Sequence, residues 1–154
     1  MSLKRTIRHQ YQTLADRAAK QTAGLQSPPE GWIRTVRKAL GMSGAQLARR
    51  MGVTRARISY AEQAELAGGM TLNSMEAAAE AMGCRFVYAF VPVDSIEAII
   101  AAQARRKAEA IVGEASRNMA LENQTLPDEK ILAETTRLAA ELARELPSGF
   151  WDDK

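Results

Sequence analysis

The sequence predicts a mainly α-helical protein with one β-strand, basic in its first part and acidic in its helical last part. Three observations predict it. Apolar residues recur at three- and four-residue spacings through most of the 154 residues, broken by glycine, proline and capping residues. A single stretch, CRFVYAFVP at 84–92, joins β-branched and aromatic residues at strand length. Hydrophobic residues make up 46% of the chain but aromatic ones only 5%, so any core must be mostly aliphatic.

The elements follow in order. Leu3, Ile7, Tyr11, Leu14 and Ala18 mark one face of a first helix, which ends in the breaker TAGLQSPPEG. Trp32, Val36 and Leu40 share a face of the next, ended by Gly41. Ser43 caps a helix that buries Leu47 and Met51 and stops at Gly52. Thr54 caps another, running to about Gln63, and a loop with Gly68 and Gly69 follows. Thr71 starts a helix carrying Leu72, Met75, Ala78, Ala79 and Met82, ended by Gly83.

The strand at 84–92 is without a second of equal quality. A lone strand leaves N–H and C=O groups unpaired. It is expected to pair with its counterpart in a second subunit across a two-fold axis, or with a weaker local segment. Asp94 or Ser95 then caps a long helix carrying Ile96, Ile99, Ile100, Ala104, Ala108, Ile111, Val112, Ala115 and Met119 to about Leu121. Thr125 and Asp128 resemble a capping box for the last helix, whose stripe is Ile131, Thr135, Leu138, Leu142 and Leu146, closed by Pro147. These two helices either form a hairpin or offer an apolar groove to a partner. The expected divisions are an N-terminal amphipathic helix (1–26), a helical domain (30–83), a dimerisation strand (84–92) and a C-terminal helical region (93–154).

Charge is unevenly spread. Residues 1–60 hold twelve Lys+Arg against Asp16 and Glu30, a formal +10, whereas the rest carries −7 within a net +3. The basic part is suited to a polyanion. Inside it lies GMSGAQLARRMGVTRARISYAEQ. A helix-turn-helix that reads DNA needs two short helices locked at a steep angle, the second entering the major groove. Leu47 and Ala48 fit the inner face of the first, Gly52 the turn, Val53 the joint, and Ile58 the anchor of the second. The candidate contacts are Arg55, Ala56, Arg57, Ser59 and Tyr60, with Thr54 as the cap. Arginine bonds guanine or phosphate bidentately, and alanine can meet a thymine methyl. Ser43 and the Gly44 amide stand at a helix N-terminus, which favours phosphate. Arg37 and Lys38 either add backbone contact or are solvated charges.

Other chemistry finds no footing. His9 is the only histidine and Cys84 the only cysteine, so no intrachain disulfide, metal site or Ser/His/Asp arrangement can be built. Cys84 is expected to be a small buried hydrophobe. No signal peptide, membrane span or phosphate-binding glycine loop is evident. The reading is a soluble cytoplasmic protein without cofactor or catalytic activity.

Residues 30–83 resemble the lambda-repressor-like, Xre-type helix-turn-helix superfamily. A wider resemblance is to the family called mobile mystery protein A. It rests on SPPEGWIRTVRKALGMSGAQLARRMGVTRARISYAEQAE, GGMTLNSMEAAAEAMGCRFVYAFVP and NMALENQ. That resemblance implies a bacterial mobile element and a neighbouring Fic-domain partner that transfers AMP to proteins. It also implies an antitoxin that inhibits this toxin and represses its own operon, bound to the nucleoid through double-stranded DNA. Fic-inhibiting antitoxins share a helix with Ser or Thr, three residues, Glu, then Gly or Asn. Here Glu122 and Asn123 match, and Asn118 stands where a hydroxyl is the rule. By spacing alone Glu122 is a solvated acid near a helix end. A stand-alone dimeric repressor of phage type, with no toxin partner, is the alternative.

Overall fold

A computed structural model describes residues 2–153 and contains seven helices among them. These are α1 (Leu3–Gln21), α2 (Trp32–Ala39), α3 (Gly44–Met51), α4 (Arg55–Ala67), α5 (Leu72–Ala81), α6 (Ile96–Leu121) and α7 (Asp128–Glu145). They form two compact units. One is Thr22–Ala89; the other joins Met1–Gln21 to Phe90–Lys154. The N-terminal helix is grouped with the C-terminal helices.

The unit Thr22–Ala89 is built from α2 to α5. Short helices need strong punctuation, because nucleating each one fixes several residues for a single bond. Ser43, Thr54 and Thr71 supply it: each side chain accepts a first-turn backbone N–H of α3, α4 or α5. Gly52 and Gly68, both left-handed, end α3 and α4. Between the helices Ile33, Leu47, Ala48, Ile58, Met75, Ala78 and Met82 form the core, with Val36, Met51 and Phe86 against it. Leu47 is fully enclosed, a burial that stabilises by about 2–3 kcal/mol. The face of α2 differs from the expected one. Ile33 is the buried residue, while Trp32 is partly and Leu40 largely exposed. The reason is the start of α2: the Glu65 carboxylate accepts the backbone N–H groups of Trp32 and Ile33, which turns Ile33 inward. Gly31 makes room for it, since a Cβ there would lie 2.7 Å from Glu65 Oε2.

No β-strand forms among the described residues, which corrects the expected strand at 84–92. The segment runs without helix or ladder. Phe86 packs on the core and stacks on Tyr88 with ring centroids 6.0 Å apart, whereas Phe90 and Val93 are 93% and 99% exposed. β-composition alone does not make a strand, because the ladder needs a partner backbone. Cys84 is exposed rather than buried. Its N–H closes the end of α5 by bonding to Ala79 C=O at 2.8 Å, which turns the residue out of the core.

In the other unit, α6 and α7 pack as a helical hairpin. Gln103, Ala104, Ala108 and Val112 of α6 and Thr135 of α7 are buried at the contact; Ile131, Leu138, Leu142 and Leu146 are half-buried beside them. Ile99 and Ile111 lie outside it, 43% and 50% exposed. Ser95, not Asp94, caps α6, and Asp16 of α1 accepts the Ile96 N–H. Thr125 does not cap α7. The N-cap is Pro127, whose fixed φ sets the helix start, and Asp128 and Glu129 in the first turn complement the helix dipole. α1 buries no residue, and Leu3, Tyr11 and Leu14 on its apolar stripe are largely exposed. Its less exposed residues are Arg8, Gln12, Ala15, Asp16, Ala18 and Ala19, and Asp16 bonds to the start of α6. The tail also folds back. Phe150 is buried, its C=O accepts from Gln103 Nε2 at 2.8 Å, and its ring meets Trp151 edge to face.

Candidate nucleic-acid interface

The expected contact residues lie on α4 and the turn before it. α3 is held at its start by a reciprocal capping box: Ser43 Oγ accepts the Gln46 N–H at 3.1 Å, and Gln46 Oε1 accepts the Ser43 N–H at 2.7 Å. The Ser43 N–H is thus already used within the protein. Gly44 lies in the first turn, where a Cβ would meet Ile58 at 4.0 Å. Gly52 takes φ 68° to reverse the chain, and the Val53 N–H bonds back to Ala48 C=O at 2.9 Å. Val53 is 36% exposed, so the joint is closed by Leu47, Ala48 and Ile58 rather than by Val53 itself.

Thr54 Oγ1 accepts the Arg57 N–H at 3.2 Å and so fixes the first turn of α4. Ile58 points into the core, 3% exposed, and that sets the register of its neighbours. Arg55, Ala56, Arg57, Ser59 and Tyr60 are all exposed as a result. The Arg57 guanidinium lies over the Tyr60 ring, 5.7 Å from its centroid. Such a contact holds the cation extended while leaving its N–H edge free for an anion or a guanine. The i, i+3 spacing of these two residues is visible in the sequence; the pairing is a finding of the structure.

Arg37 is not free for DNA. Arg37 Nε meets Glu62 Oε1 at 2.6 Å, Nη2 meets Oε2 at 3.3 Å, and Nη1 donates to Met42 C=O at 3.0 Å. Both side chains of this pair are about 15% exposed or less. It ties α2 to α4, so Arg37 is part of the scaffold. Lys38 Nζ pairs with Glu30 at 3.0 Å, and that lysine holds the Glu30 carboxyl below the usual glutamate range. Arg50 likewise turns inward along the surface, donating from Nε to Ala81 C=O at 2.7 Å. Arg49 is exposed beside it and adds positive charge that the sequence reading did not single out.

The three residues of the Fic-inhibitor pattern are all exposed at the far end of α6. Asn118 is in the last turn, Glu122 is the C-cap, and Asn123 adopts a left-handed φ of 59°. Asparagine tolerates that conformation, and here it reverses the chain after α6. Among the described residues no group of three or more His, Cys, Asp or Glu is placed to hold a metal, and no helix is long and apolar enough to cross a membrane.

Comparison with protein families matches residues 33–88 to the helix-turn-helix model. The match covers α2 to α5 and the extended segment as far as Tyr88. Residues 33–88 are thus similar to helix-turn-helix domains. No curated protein and no solved structure matches the chain.

Proposed function

We propose that the protein is a sequence-specific transcriptional repressor that binds operator DNA as a homodimer, with α4 in the major groove. The observation that carries this is the exposed row Arg55, Ala56, Arg57, Ser59 and Tyr60 on a helix whose rotation is fixed by Ile58. Arg55 and Arg57 act as readers, Thr54 and Ser59 hold phosphates, and Ala56 permits close approach to the groove floor. A single module of this size buries roughly 600–1,000 Å² on DNA, and two of them on half-sites about 34 Å apart give a site long enough to be specific.

The test is binding of the full chain to DNA from its own upstream region across a salt series. Each neutralised phosphate contributes about −0.9 to the slope of log K against log[salt]. Arg55→Ala with Arg57→Ala should weaken binding at least tenfold and flatten that slope. Equal affinity for the double variant would sink the assignment of α4. Two chains per duplex support the dimer; one chain per duplex overturns it.

A second role draws on the resemblance to antitoxins and on the exposed placement of Asn118, Glu122 and Asn123, in the unit that does not carry the helix-turn-helix. In this reading Glu122 pairs with an arginine of a Fic-type toxin and blocks productive ATP binding. Co-expression with a Fic-domain neighbour tests it. Glu122→Ala should release AMP transfer while DNA binding stays intact, and unchanged inhibition would refute it.

A further inference from the structure

One groove lies within the unit formed by α1, α6 and α7. It has a volume of about 440 Å³ and is walled by Arg5, Arg8, His9 and Gln12 of α1, with Glu97 of α6 and Arg144 of α7. Ile100 and Ala101 of α6 and Ala143 of α7 give it a partly apolar floor. The four α1 residues share one face, at spacings of three, four and seven. A helix buried against a neighbour ordinarily turns its apolar stripe inward. In α1 the large apolar residues Leu3, Tyr11 and Leu14 are largely exposed, while this polar, cationic row lines the groove.

Much of this positive charge is unpaired among the described residues. Three arginines face one glutamate. Among the described residues no carboxylate forms an ion pair with Arg5 or Arg8. Arg8 uses one of its N–H donors on Arg144 C=O, at 3.1 Å, which steadies its stem against the end of α7. Four N–H donors of that guanidinium remain. Arg144 pairs with Glu145 at 3.0 Å from Nε, and its terminal nitrogens are left over. Guanidinium forks beside an imidazole and a carboxamide match the oxygens of a phosphate group, which accept bidentately.

We infer that this α1–α6–α7 groove is a second anion site, which binds a phosphate-bearing ligand through Arg5, Arg8 and His9. The phosphate belongs either to a free polyphosphate compound or to the backbone of a nucleic acid; the recognising chemistry is the same. Sodium tripolyphosphate is the probe. Titrated into the full chain at low salt, it should shift the backbone and side-chain signals of His9 and Gln12 saturably in NMR spectra. Arg5→Gln, which removes a charge but no internal bond, should weaken that binding about tenfold. Arg57→Gln, in the other unit, should leave it unchanged. A competing DNA duplex separates the sources: displacement of tripolyphosphate from His9 identifies a nucleic-acid backbone, and persistence identifies a free polyphosphate. The inference fails if the His9 and Gln12 signals do not saturate, or if Arg5→Gln binds as tightly as the parent. Circular dichroism of Arg5→Gln guards against misfolding; if the variant is unfolded, Arg5→Lys, which keeps the charge but loses the fork, should weaken binding by a smaller factor. Full parental affinity of that substitute also refutes the role of the fork.

Discussion

Glu62→Gln should destabilise the helix-turn-helix domain without weakening its grip on DNA at low temperature. The substitution keeps the size of the side chain and removes its charge. Arg37 then retains its bond to Met42 C=O but loses the carboxylate that meets it at 2.6 and 3.3 Å. Breaking a fully buried ion pair costs about 3–5 kcal/mol. This pair keeps 13–15% of its side-chain surface, and the glutamine still accepts one bond, so the expected loss is about 2 kcal/mol. In a unit of this size that corresponds to a fall in Tm of roughly 8–16 °C. Urea denaturation followed by circular dichroism gives the free energy directly, and a double-mutant cycle with Arg37→Met isolates the pair. A coupling energy below about 0.5 kcal/mol would show that the pair is a solvated surface contact. A salt slope for DNA binding lowered in Arg37→Met would refute the assignment more strongly, because it would mean that Arg37 neutralises a phosphate.

Other outcomes follow from the same geometry. Gly31→Ala should destabilise by about 1–3 kcal/mol, because it combines a positive φ with a Cβ 2.7 Å from Glu65 Oε2; thermal melting checks it. Thr54→Ala removes the cap of α4 and should cost about 1 kcal/mol in stability. Its DNA affinity should fall too, measurable by anisotropy against Thr54→Ser as a control. Gln103→Leu leaves the Phe150 carbonyl without its buried donor and should loosen the tail, seen as a red shift of Trp151 fluorescence. The bond from Arg137 holds the Glu134 carboxyl below the usual glutamate range. Such a contribution is present above the unfolded-state pKa and fades as pH falls through the folded-state value. The Glu134 carboxyl signal should therefore titrate at a lower pH than in Arg137→Gln.

The helix-turn-helix was legible because its constraints are local. Ser43, Gly52, Thr54 and Ile58 each act within one or two turns of their own position, so spacing alone places them. The features that sequence patterning misplaced depend on contacts far along the chain. Arg37 resembles a free cation until Glu62, 25 residues on, is brought beside it. The α1 stripe reads as a core face, yet its large residues stay largely exposed and the polar row next to them lines a groove. Residues 84–92 have the composition of a strand, but composition supplies no partner backbone. The tail after Pro147 carries a plain signal, Phe150 and Trp151 in an otherwise polar ending, which a reading confined to helices passes over.

The discontinuity of the unit that holds α1, α6 and α7 has a consequence for synthesis. α1 leaves the ribosome well before α6, the helix against which it packs. At about 5–20 residues per second, the 74 residues between the end of α1 and the start of α6 take roughly 4–15 s. During that interval residues 22–89 can complete their own core, while the face of α1 that carries Asp16 has nothing from its own unit to rest on. Nascent α1 is therefore the segment most open to a chaperone, to a neighbouring nascent copy, or to a protease. Moving α1 by circular permutation to follow α7 would close that interval and should raise the yield of folded protein.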